Sequence, residues 1–280
     1  MLHGSSVMAI FIQITQFQFH NHNVVLSVCR KPQEGCDLVF HVATPVNFAS
    51  EDPENDMIKP AIQGVHNVLR ACAKAKTVKR VILTSSAAAV SINKLNGTGL
   101  IMDEKNWTDG YPASKTLAEK AAWKFAEENN IDLITVIPSL MTGPSLTQDV
   151  PSSGKPVNVI DTGNEFLINA MKGMQMLSGS ISITHVEDVC RAHIFLAEKE
   201  SASGRYICCA VNTSVVELAK FLNTRYPQYQ VSTDLGDFPS KAKLAVTSEK
   251  LVSEGFSFKY GIEEIYDQAA EYFKAKGLLN

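Results

Sequence analysis

From residue 36 onward, hydrophobic residues follow two alternating patterns along the chain. Continuous apolar runs occupy 36–46, 79–90 and 131–139, whereas 56–76 and 110–130 have apolar positions at helical spacing. Continuous runs indicate strands that are covered on both faces, as in a parallel sheet. Strands that alternate with helices are typical of βαβ units. The pattern therefore predicts an α/β fold with a doubly wound, Rossmann-type parallel sheet.

The alternation is less regular after residue 145. The segment 145–164 is rich in Ser, Pro and Gly, which predicts a loop. The later pattern predicts a helix in 164–174, a strand turning into a helix in 180–189, a buried strand in 204–210, and amphipathic helices in 214–228 and 261–276. We therefore expect a Rossmann-type core over 36–144, to which strand 204–210 returns. A smaller C-terminal substrate lobe is expected over 145–203 and 211–280.

The first 35 residues form an atypical leader. The segment "SVMAIFIQITQFQFH" has no basic start, and its apolar part is short for a secretory signal. From Ile10 to Phe19 apolar and polar residues partly alternate, which leaves a strand and an unstructured leader open. No stretch approaches the roughly 20 apolar residues of a membrane span. The leader therefore predicts neither export nor a membrane anchor.

Charge and cysteine content narrow the possible partners and the compartment. The formal net charge of −3 provides no basic field for nucleic acid or an anionic membrane. The six cysteines form neither a CxxC pair nor a zinc spacing. Cys208 and Cys209 lie in an apolar run, which indicates packed thiols in a reducing cytosol. We expect a cytoplasmic protein that acts on a small molecule, and the oligomeric state is left open.

A candidate proton-transfer pair lies near the start of the helix predicted in 110–130. Tyr111 and Lys115 are four residues apart, so a helix places both side chains on one face. This spacing alone also fits a solvated helix. Residues 84–86 (TSS) and 138–139 (PS), however, end the strands before and after this helix. Because ligands bind beyond the carboxyl ends of parallel strands, these residues favour a chemical role for the pair.

The three residue types support acid–base chemistry together. The charge of Lys115 lowers the pKa of the Tyr111 phenol, and Ser86 hydrogen-bonds the substrate oxygen or the phenol. Tyr111 then gives or takes a proton while a hydride moves. We therefore expect an oxidoreductase site at the carboxyl edge of the sheet.

Several segments resemble the extended short-chain dehydrogenase/reductase family. They are "VFHVATPV" (39–46), "DMIKPAIQGVHNVLRAC" (56–72), "VKRVILTSSAAAV" (78–90), "GYPASKTLAEKAAWKFAEE" (110–128) and "HVEDVCRAHIF" (185–195). Within the family they are most similar to the dihydroflavonol reductase group of plants, in particular its anthocyanidin-reducing members. The resemblance extends from about residue 36 to the C-terminus. It implies a Rossmann-type fold, NADPH as cofactor, and reduction of a flavonoid, with a flavan-3-ol as the product.

The resemblance also implies roles for individual residues. The family's catalytic residues fall on Ser86, Tyr111 and Lys115. Positions beside the cofactor fall on Ala43, Thr44, Thr84, Ser85, Tyr111, Lys115, Pro138 and Ser139. Positions that contact the substrate fall on Ser86, Ser91 and Tyr111. No metal site is expected, since His185 and His193 are eight residues apart and "HVEDV" is interpreted as the structural start of a helix.

The chain departs from the family pattern at its N-terminus. The family opens with a strand and a glycine-rich turn that holds the cofactor pyrophosphate. Here the first 35 residues contain only Gly4 and Gly35, and "GTG" at 97–99 lies in a predicted surface turn. The sequence therefore predicts a sheet that is incomplete at the N-terminus and a weakened cofactor site.

Two further departures concern the active-site surroundings. Relatives carry a stretch longer by on the order of ten residues between Asp109 and Gly110, and a more apolar segment at 152–166. Two interpretations follow from these departures. One is a flavonoid reductase of the anthocyanidin type, with a dihydroflavonol as the alternative substrate. The other is a catalytically inactive truncated isoform that binds a flavonoid or dimerises.

Overall fold

A computed structural model describes residues 7–10, 36–42, 44–45, 50–91, 100–108, 114–145 and 165–279, with 7–10 and 165–167 described by their backbone alone. These residues form two compact units. The first unit takes its residues from Met1–Ala89, Gly110–Ile137 and Ala192–Tyr206. The second takes its residues from Val90–Asp109, Pro138–Arg191 and Ile207–Asn280.

The described strands and helices alternate along most of the chain. The strands are β1 (Val7–Ile10), β2 (Leu38–His41), β3 (Arg80–Thr84), β4 (Leu100–Met102), β5 (Leu133–Pro138), β6 (Leu140–Thr142), β7 (Ile181–His185), β8 (Gly204–Cys208), β9 (Val211–Thr213) and β10 (Leu244–Val246). The helices are α1 (Lys59–Ala75), α2 (Ala88–Ser91), α3 (Ser114–Glu128), α4 (Glu165–Ser178), α5 (Val186–Glu198), α6 (Val215–Arg225), α7 (Glu249–Ser253) and α8 (Ile262–Ala275). A short π-helix (Glu54–Ile58) precedes α1, and a 3-10 turn (Pro227–Tyr229) follows α6.

The main sheet has five strands in the order β1-β2-β3-β5-β8. The pairs β1–β2, β2–β3 and β3–β5 are all parallel. All described residues of β2 and β5 are buried, because each strand is a continuous apolar run covered on both faces. The predicted Rossmann-type parallel sheet is therefore confirmed.

Helices cover both faces of this sheet. On one face α1 and α3 pack on each other and on β2, β3 and β5, and the buried cluster includes Val39, Val65, Val81, Ala122 and Leu133. Phe40 follows Val39 and points to the opposite face. There its ring lies 6.2 Å from that of His193 on α5. The fold is thus doubly wound, as predicted.

Arg80 joins the start of β3 to the end of α5. Its guanidinium donates to the backbone carbonyls of Leu196 at 3.0 Å and Lys199 at 2.6 Å, and to Asp132 at 2.8 Å. Longer contacts reach the carbonyls of Glu200 and Ala202 at 3.3 and 3.4 Å. The last carbonyls of a helix have no partner within the helix. Arg80 supplies donors to this end of α5 and so fixes it against the sheet.

The second unit has two small sheets and its own core. Strands β6, β7 and β9 form one sheet, and β4 pairs with β10 in the other. The core contains Met171, Ile181, Ile183, Leu218, Leu222 and Tyr266, each at most 2% exposed. Four of these strands, β4, β6, β9 and β10, have only three residues each. A pattern this short cannot be recognised in the sequence, so these strands were not predicted.

The "HVEDV" segment begins α5, with Glu187 and Asp188 in the first turn as predicted. Asp188 is fully buried, and it accepts the backbone N–H groups of Lys259 at 3.0 Å and Tyr260 at 3.2 Å. Arg191 binds the same carboxylate at 2.5 Å. The motif thus has a structural role: it ties residues 259–260 to α5.

The N-terminal segment contributes a strand. A strand is described over Val7–Ile10, whereas residues 11–19, the rest of the run for which a strand and an unstructured leader were left open, lie outside the described residues. It pairs in parallel with β2 and so extends the main sheet by one strand. Of the predicted loop 145–164, only residue 145 lies within the described residues. Among the described helices, none has the length and hydrophobicity to cross a lipid bilayer.

Candidate active site

The segment Thr84–Ser86 leaves the carboxyl end of β3 and leads into α2. Thr84 and Ser85 are buried, and Ser86 is half-buried. The Ser86 hydroxyl oxygen accepts the backbone N–H of Ala88 at 3.3 Å. A serine in this arrangement keeps its hydroxyl hydrogen for a second acceptor. Ser86 therefore has the chemistry of a donor to a substrate oxygen.

Lys115 lies in the first turn of α3 and reaches this strand end. Its Nζ donates to the backbone carbonyl of Thr84 at 3.0 Å. Burial lowers the pKa of the Lys115 ammonium to about 8, and the nearby carboxylate of Glu119 acts in the opposite direction. The structure thus brings the predicted lysine to the segment that carries the predicted serine. Tyr111 lies outside the described residues, so its place in the site stays a prediction.

The hydroxyls of Thr84 and Ser85 bind protein groups. Thr84 Oγ1 lies 2.8 Å from Nε2 of His193 on α5. Ser85 Oγ donates to a carboxylate oxygen of Glu119 at 2.5 Å. These contacts hold the strand end in place. Both hydroxyls are thus engaged by protein groups. A role of either residue toward the cofactor stays a prediction.

A buried ion pair lies behind this segment. Glu119 on α3 is 1% exposed, and its Oε1 accepts the Nε–H of Arg205 on β8 at 2.7 Å. A second guanidinium nitrogen lies 3.5 Å from Oε2. Both residues escaped the sequence prediction, although one signal was present. Glu119 is one turn after Lys115 on the same face of an otherwise apolar-lined helix.

His41 ends β2 beside this cluster. It is 4% exposed, and neither ring nitrogen has a hydrogen-bond partner among the described residues. Burial, and then the positive charge of Lys115, lower the pKa of His41 to about 4. The imidazole is therefore neutral at physiological pH. A neutral ring next to Lys115 adds no second positive charge to the site.

The other predicted site residues are dispersed along the chain. Thr44, just after β2, is half-buried, whereas Ala43 lies outside the described residues. Ser91 at the end of α2 and Ser139 after β5 are buried in the second unit. The Ser139 N–H binds the carbonyl of Cys208 at 3.1 Å. Pro138 ends β5 as predicted from the apolar run. The roles of these residues toward a ligand stay predictions.

The residues at this strand end fit only one half of a dinucleotide. An ammonium at the carboxyl edge of a parallel sheet suits the ribose hydroxyls at the nicotinamide end. The pyrophosphate end requires glycines in the turn that follows the first strand. After β1 the chain continues with Phe11 and Ile12 and has no glycine before Gly35. Glycine is the residue that allows such a close backbone approach, so the sequence after β1 does not fit the pyrophosphate.

Metal ligands do not gather at this strand end. Within the described part of the chain no group of three or more His, Cys, Asp or Glu side chains has an arrangement that could hold a metal ion. His193, one of the two histidines considered for zinc, instead binds Thr84. The reactive groups available here are a hydroxyl, an ammonium and an imidazole.

Curated relatives support the resemblance that the motifs indicate. An anthocyanidin reductase of Vitis vinifera, described as (2S)-flavan-3-ol-forming, is 77% identical over 261 residues, which cover 89% of this chain and 77% of the relative. The predicted similarity to the anthocyanidin-reducing group is therefore confirmed.

Solved structures share the fold. Vestitone reductase from alfalfa (Medicago sativa) is 34% identical with a TM-score of 0.72, and the match covers 88% of this chain and 78% of that one. The yeast methylglyoxal/isovaleraldehyde reductase Gre2, solved with NADPH, is 26% identical with a TM-score of 0.73, covering 92% and 82%. Both neighbours are named as reductases, which agrees with the predicted enzyme class.

The family match begins earlier than the motifs indicate. The profile of the NAD dependent epimerase/dehydratase family matches residues 12–209. The motifs that carry the resemblance begin near residue 36, whereas the family profile also matches the preceding residues, although these lack the glycine-rich turn. The profile covers most of the chain and both segments that meet at Lys115. The chain belongs to the NAD dependent epimerase/dehydratase family.

Proposed function

We propose that this protein is an NADPH-dependent reductase of flavonoids that converts an anthocyanidin to a flavan-3-ol. The observation that carries the proposal is the contact of Lys115 Nζ with the Thr84 carbonyl, two residues before Ser86. This contact with the segment that carries Ser86 supports a joint role of the lysine and the serine. The 77% identity to a Vitis vinifera anthocyanidin reductase favours this substrate class.

Each residue has a separate task in the proposed reaction. Ser86 donates a hydrogen bond to the reacting oxygen of the substrate, and Tyr111 delivers the proton as general acid. The ammonium of Lys115 stabilises the phenolate that remains and binds the ribose of the cofactor. The nicotinamide, when bound, supplies a hydride; reduction of the flavylium cation to a flavan-3-ol takes two hydrides and one proton, and therefore two molecules of NADPH in succession. The lowered pKa of Lys115, about 8, keeps it mostly charged near neutral pH.

The remaining predicted residues have the ligand-contacting roles in this proposal. Ser91 contacts the flavonoid, and Pro138 and Ser139 line the nicotinamide. Ala43, Thr44, Thr84 and Ser85 lie along the cofactor.

A cytoplasmic location belongs to the same proposal. No disulfide joins the described cysteines, which are Cys36, Cys72, Cys190, Cys208 and Cys209. Burial raises the pKa of Cys209 to about 11, so this thiol is protonated and unreactive. Free thiols in this number are typical of a reducing compartment.

The missing glycine turn supports low affinity for NADPH. A preformed cradle gives the pyrophosphate several charge-assisted hydrogen bonds, each worth about 1.5–3 kcal/mol. Losing about three of them weakens binding by at least three orders of magnitude, at about 1.4 kcal/mol per decade. The same observation favours the second candidate: an inactive isoform that binds a flavonoid or dimerises.

Turnover distinguishes the two candidates. An anthocyanidin and NADPH at millimolar concentration should give a flavan-3-ol, detected by chromatography, with a dihydroflavonol assayed in parallel as the alternative substrate. Tyr111→Phe should abolish turnover. Tyr272→Phe is the matched control, because its hydroxyl has no hydrogen-bond partner among the described residues. Absence of turnover, together with saturable quenching of tryptophan fluorescence by flavonoids, would support the inactive isoform instead.

A further inference from the structure

Glu119 occupies an unusual position for a carboxylate. It lies four residues after Lys115 on α3, and it is 1% exposed. Both of its oxygens are engaged: Oε1 accepts from Arg205 Nε at 2.7 Å, and Oε2 accepts from Ser85 Oγ at 2.5 Å. A carboxylate is seldom buried without a charged partner, and here Arg205 is that partner. The pair thus connects α3 and β8 to the end of β3.

This arrangement fixes the two residues that precede Ser86. Lys115 Nζ binds the Thr84 carbonyl at 3.0 Å, and Glu119 binds the hydroxyl of Ser85. The Ser85 N–H binds the carbonyl of Val136 at 2.7 Å. Two residues of one helix, one turn apart, therefore fasten two consecutive residues of the strand end. Ser86 follows directly and takes its position from them.

The same arrangement sets the charge around Lys115. The titratable groups described around it and its partners are His41 on β2, Glu119 on α3, Arg205 on β8, and His193 on α5, which binds the Thr84 hydroxyl. His41 is neutral, and burial disfavours the ammonium. Glu119 is the carboxylate that favours the charged form, in the described part of the chain. Arg205 partly offsets the negative charge of Glu119.

We propose that Glu119, neutralised in part by Arg205, is a positioning residue of the reductase site: it orients the Thr84–Ser86 segment and keeps Lys115 protonated. The inference rests on the proposed function for its catalytic meaning, since it concerns the same lysine and serine. The predicted effect of Glu119 on the protonation of Lys115 can be measured without turnover. A purely structural ion pair would stabilise the fold and leave the titration of Lys115 unchanged.

The experiment measures the titration of Lys115 in the protein without cofactor. Competitive acetylation across pH 6–11, followed by peptide mass spectrometry, gives the midpoint at which Lys115 becomes reactive. In Glu119→Gln the midpoint should move to lower pH by about one unit, because the amide keeps the shape and loses the charge. Arg205→Gln should move it to higher pH, since Glu119 then faces Lys115 without its counter-ion.

The matched control is Glu127→Gln. Glu127 is exposed on the same helix, two turns further on, so its loss should leave the midpoint of Lys115 unchanged. Opposite shifts in the two variants of the pair support the inference. Equal midpoints, or shifts in the same direction, overturn it. If Arg205→Gln does not fold, the comparison of Glu119→Gln with Glu127→Gln decides.

Activity is a separate readout. If the protein turns over an anthocyanidin, the basic limb of the kcat/KM profile should shift to lower pH in Glu119→Gln, parallel to the labelling midpoint. If turnover is absent in every form and the labelling shifts remain, the proposed function fails and the electrostatic role of Glu119 stands. If turnover is present and the midpoints do not move, the proposed function stands and the electrostatic role of Glu119 fails.

Discussion

Ser85 and Ser86 are adjacent in the chain, but their hydroxyls have different partners. Ser85 is buried and donates to the carboxylate of Glu119, whereas Ser86 is half-buried and, among the described residues, accepts from a backbone N–H. One hydroxyl is part of the fold, and the other keeps a donor for a ligand. The two serines can therefore be separated by experiment.

Alanine at position 86 should mainly lower activity, whereas alanine at position 85 should mainly lower stability. Ser86→Ala should lower kcat by about 100-fold or more, because a donor to the developing charge is lost, and should change the free energy of unfolding by less than about 0.5 kcal/mol. Ser85→Ala should cost about 1–3 kcal/mol of stability, because a buried carboxylate oxygen loses its donor. Urea denaturation and steady-state kinetics on both variants test this. Similar profiles for the two variants would contradict it.

Lys115 should be necessary for activity but unfavourable for stability. Its pKa in the folded state is about 8, below the ordinary 10.5, because burial disfavours the charge. Below pH 8 Lys115 is protonated in both the folded and the unfolded state, so burial of the charged ammonium lowers the free energy of unfolding. Between pH 8 and 10.5 only the unfolded chain binds the proton, so this residue makes stability rise with pH. Lys115→Met should therefore abolish turnover without lowering the melting temperature at pH 7.

Thermal denaturation from pH 6 to 10 checks this prediction. The wild-type protein should gain stability relative to Lys115→Met as the pH rises through about 8. Lys124→Met, which removes an exposed charge from the same helix, should follow the wild type in both stability and activity. A loss of stability in Lys115→Met at pH 7 would show that the ammonium stabilises the fold.

Local spacing made part of this site predictable from the sequence. Tyr111, Lys115 and the serines after β3 follow from a helical period and a strand end, and the structure brings Lys115 to that strand end. The Glu119–Arg205 pair joins residues 86 positions apart, and no local pattern encodes such a partner. His193 was considered as a metal ligand, and only the fold reveals its contact with Thr84.

Elements were predictable where they are long and periodic. Helices α1 and α3 and strands β2, β3 and β5 were found because each has a long apolar pattern. The three-residue strands of the second unit have no such pattern, and their pairing depends on tertiary contacts. The end of α5 is fastened to the start of β3 by Arg80, a side chain that the sequence did not single out.

Replacing Arg80 by lysine should weaken the attachment of α5 to the sheet. Lysine keeps the charge but lacks the planar fork that binds several carbonyls and Asp132 at once. We expect a loss of about 2–4 kcal/mol in the free energy of unfolding, measured in urea. Lys79→Met is the control. Its exposed pair with Asp37 at 3.4 Å should contribute less than about 1 kcal/mol. Equal losses in both variants would contradict the role of Arg80.

At the scale of the whole molecule, the sequence after β1 lacks the family's glycine-rich turn, which should weaken cofactor binding. We expect a dissociation constant for NADPH of about 1 mM or weaker by calorimetry, because the pyrophosphate cradle is missing from the sequence after β1. Reduced nicotinamide mononucleotide, which lacks the adenylate half, should bind within about tenfold of NADPH. A low-micromolar constant for NADPH, or a large preference over the mononucleotide, would contradict this prediction.

The pairing of Glu119 with Arg205 also constrains how the protein is made. The acid leaves the ribosome 86 residues before its partner, which at about 5–20 residues per second is a delay of roughly 4–17 s. During this interval the nascent chain holds a carboxylate that cannot be buried at low cost. The arrangement of Glu119 at the end of β3 can therefore form only after Arg205 has emerged, late in translation.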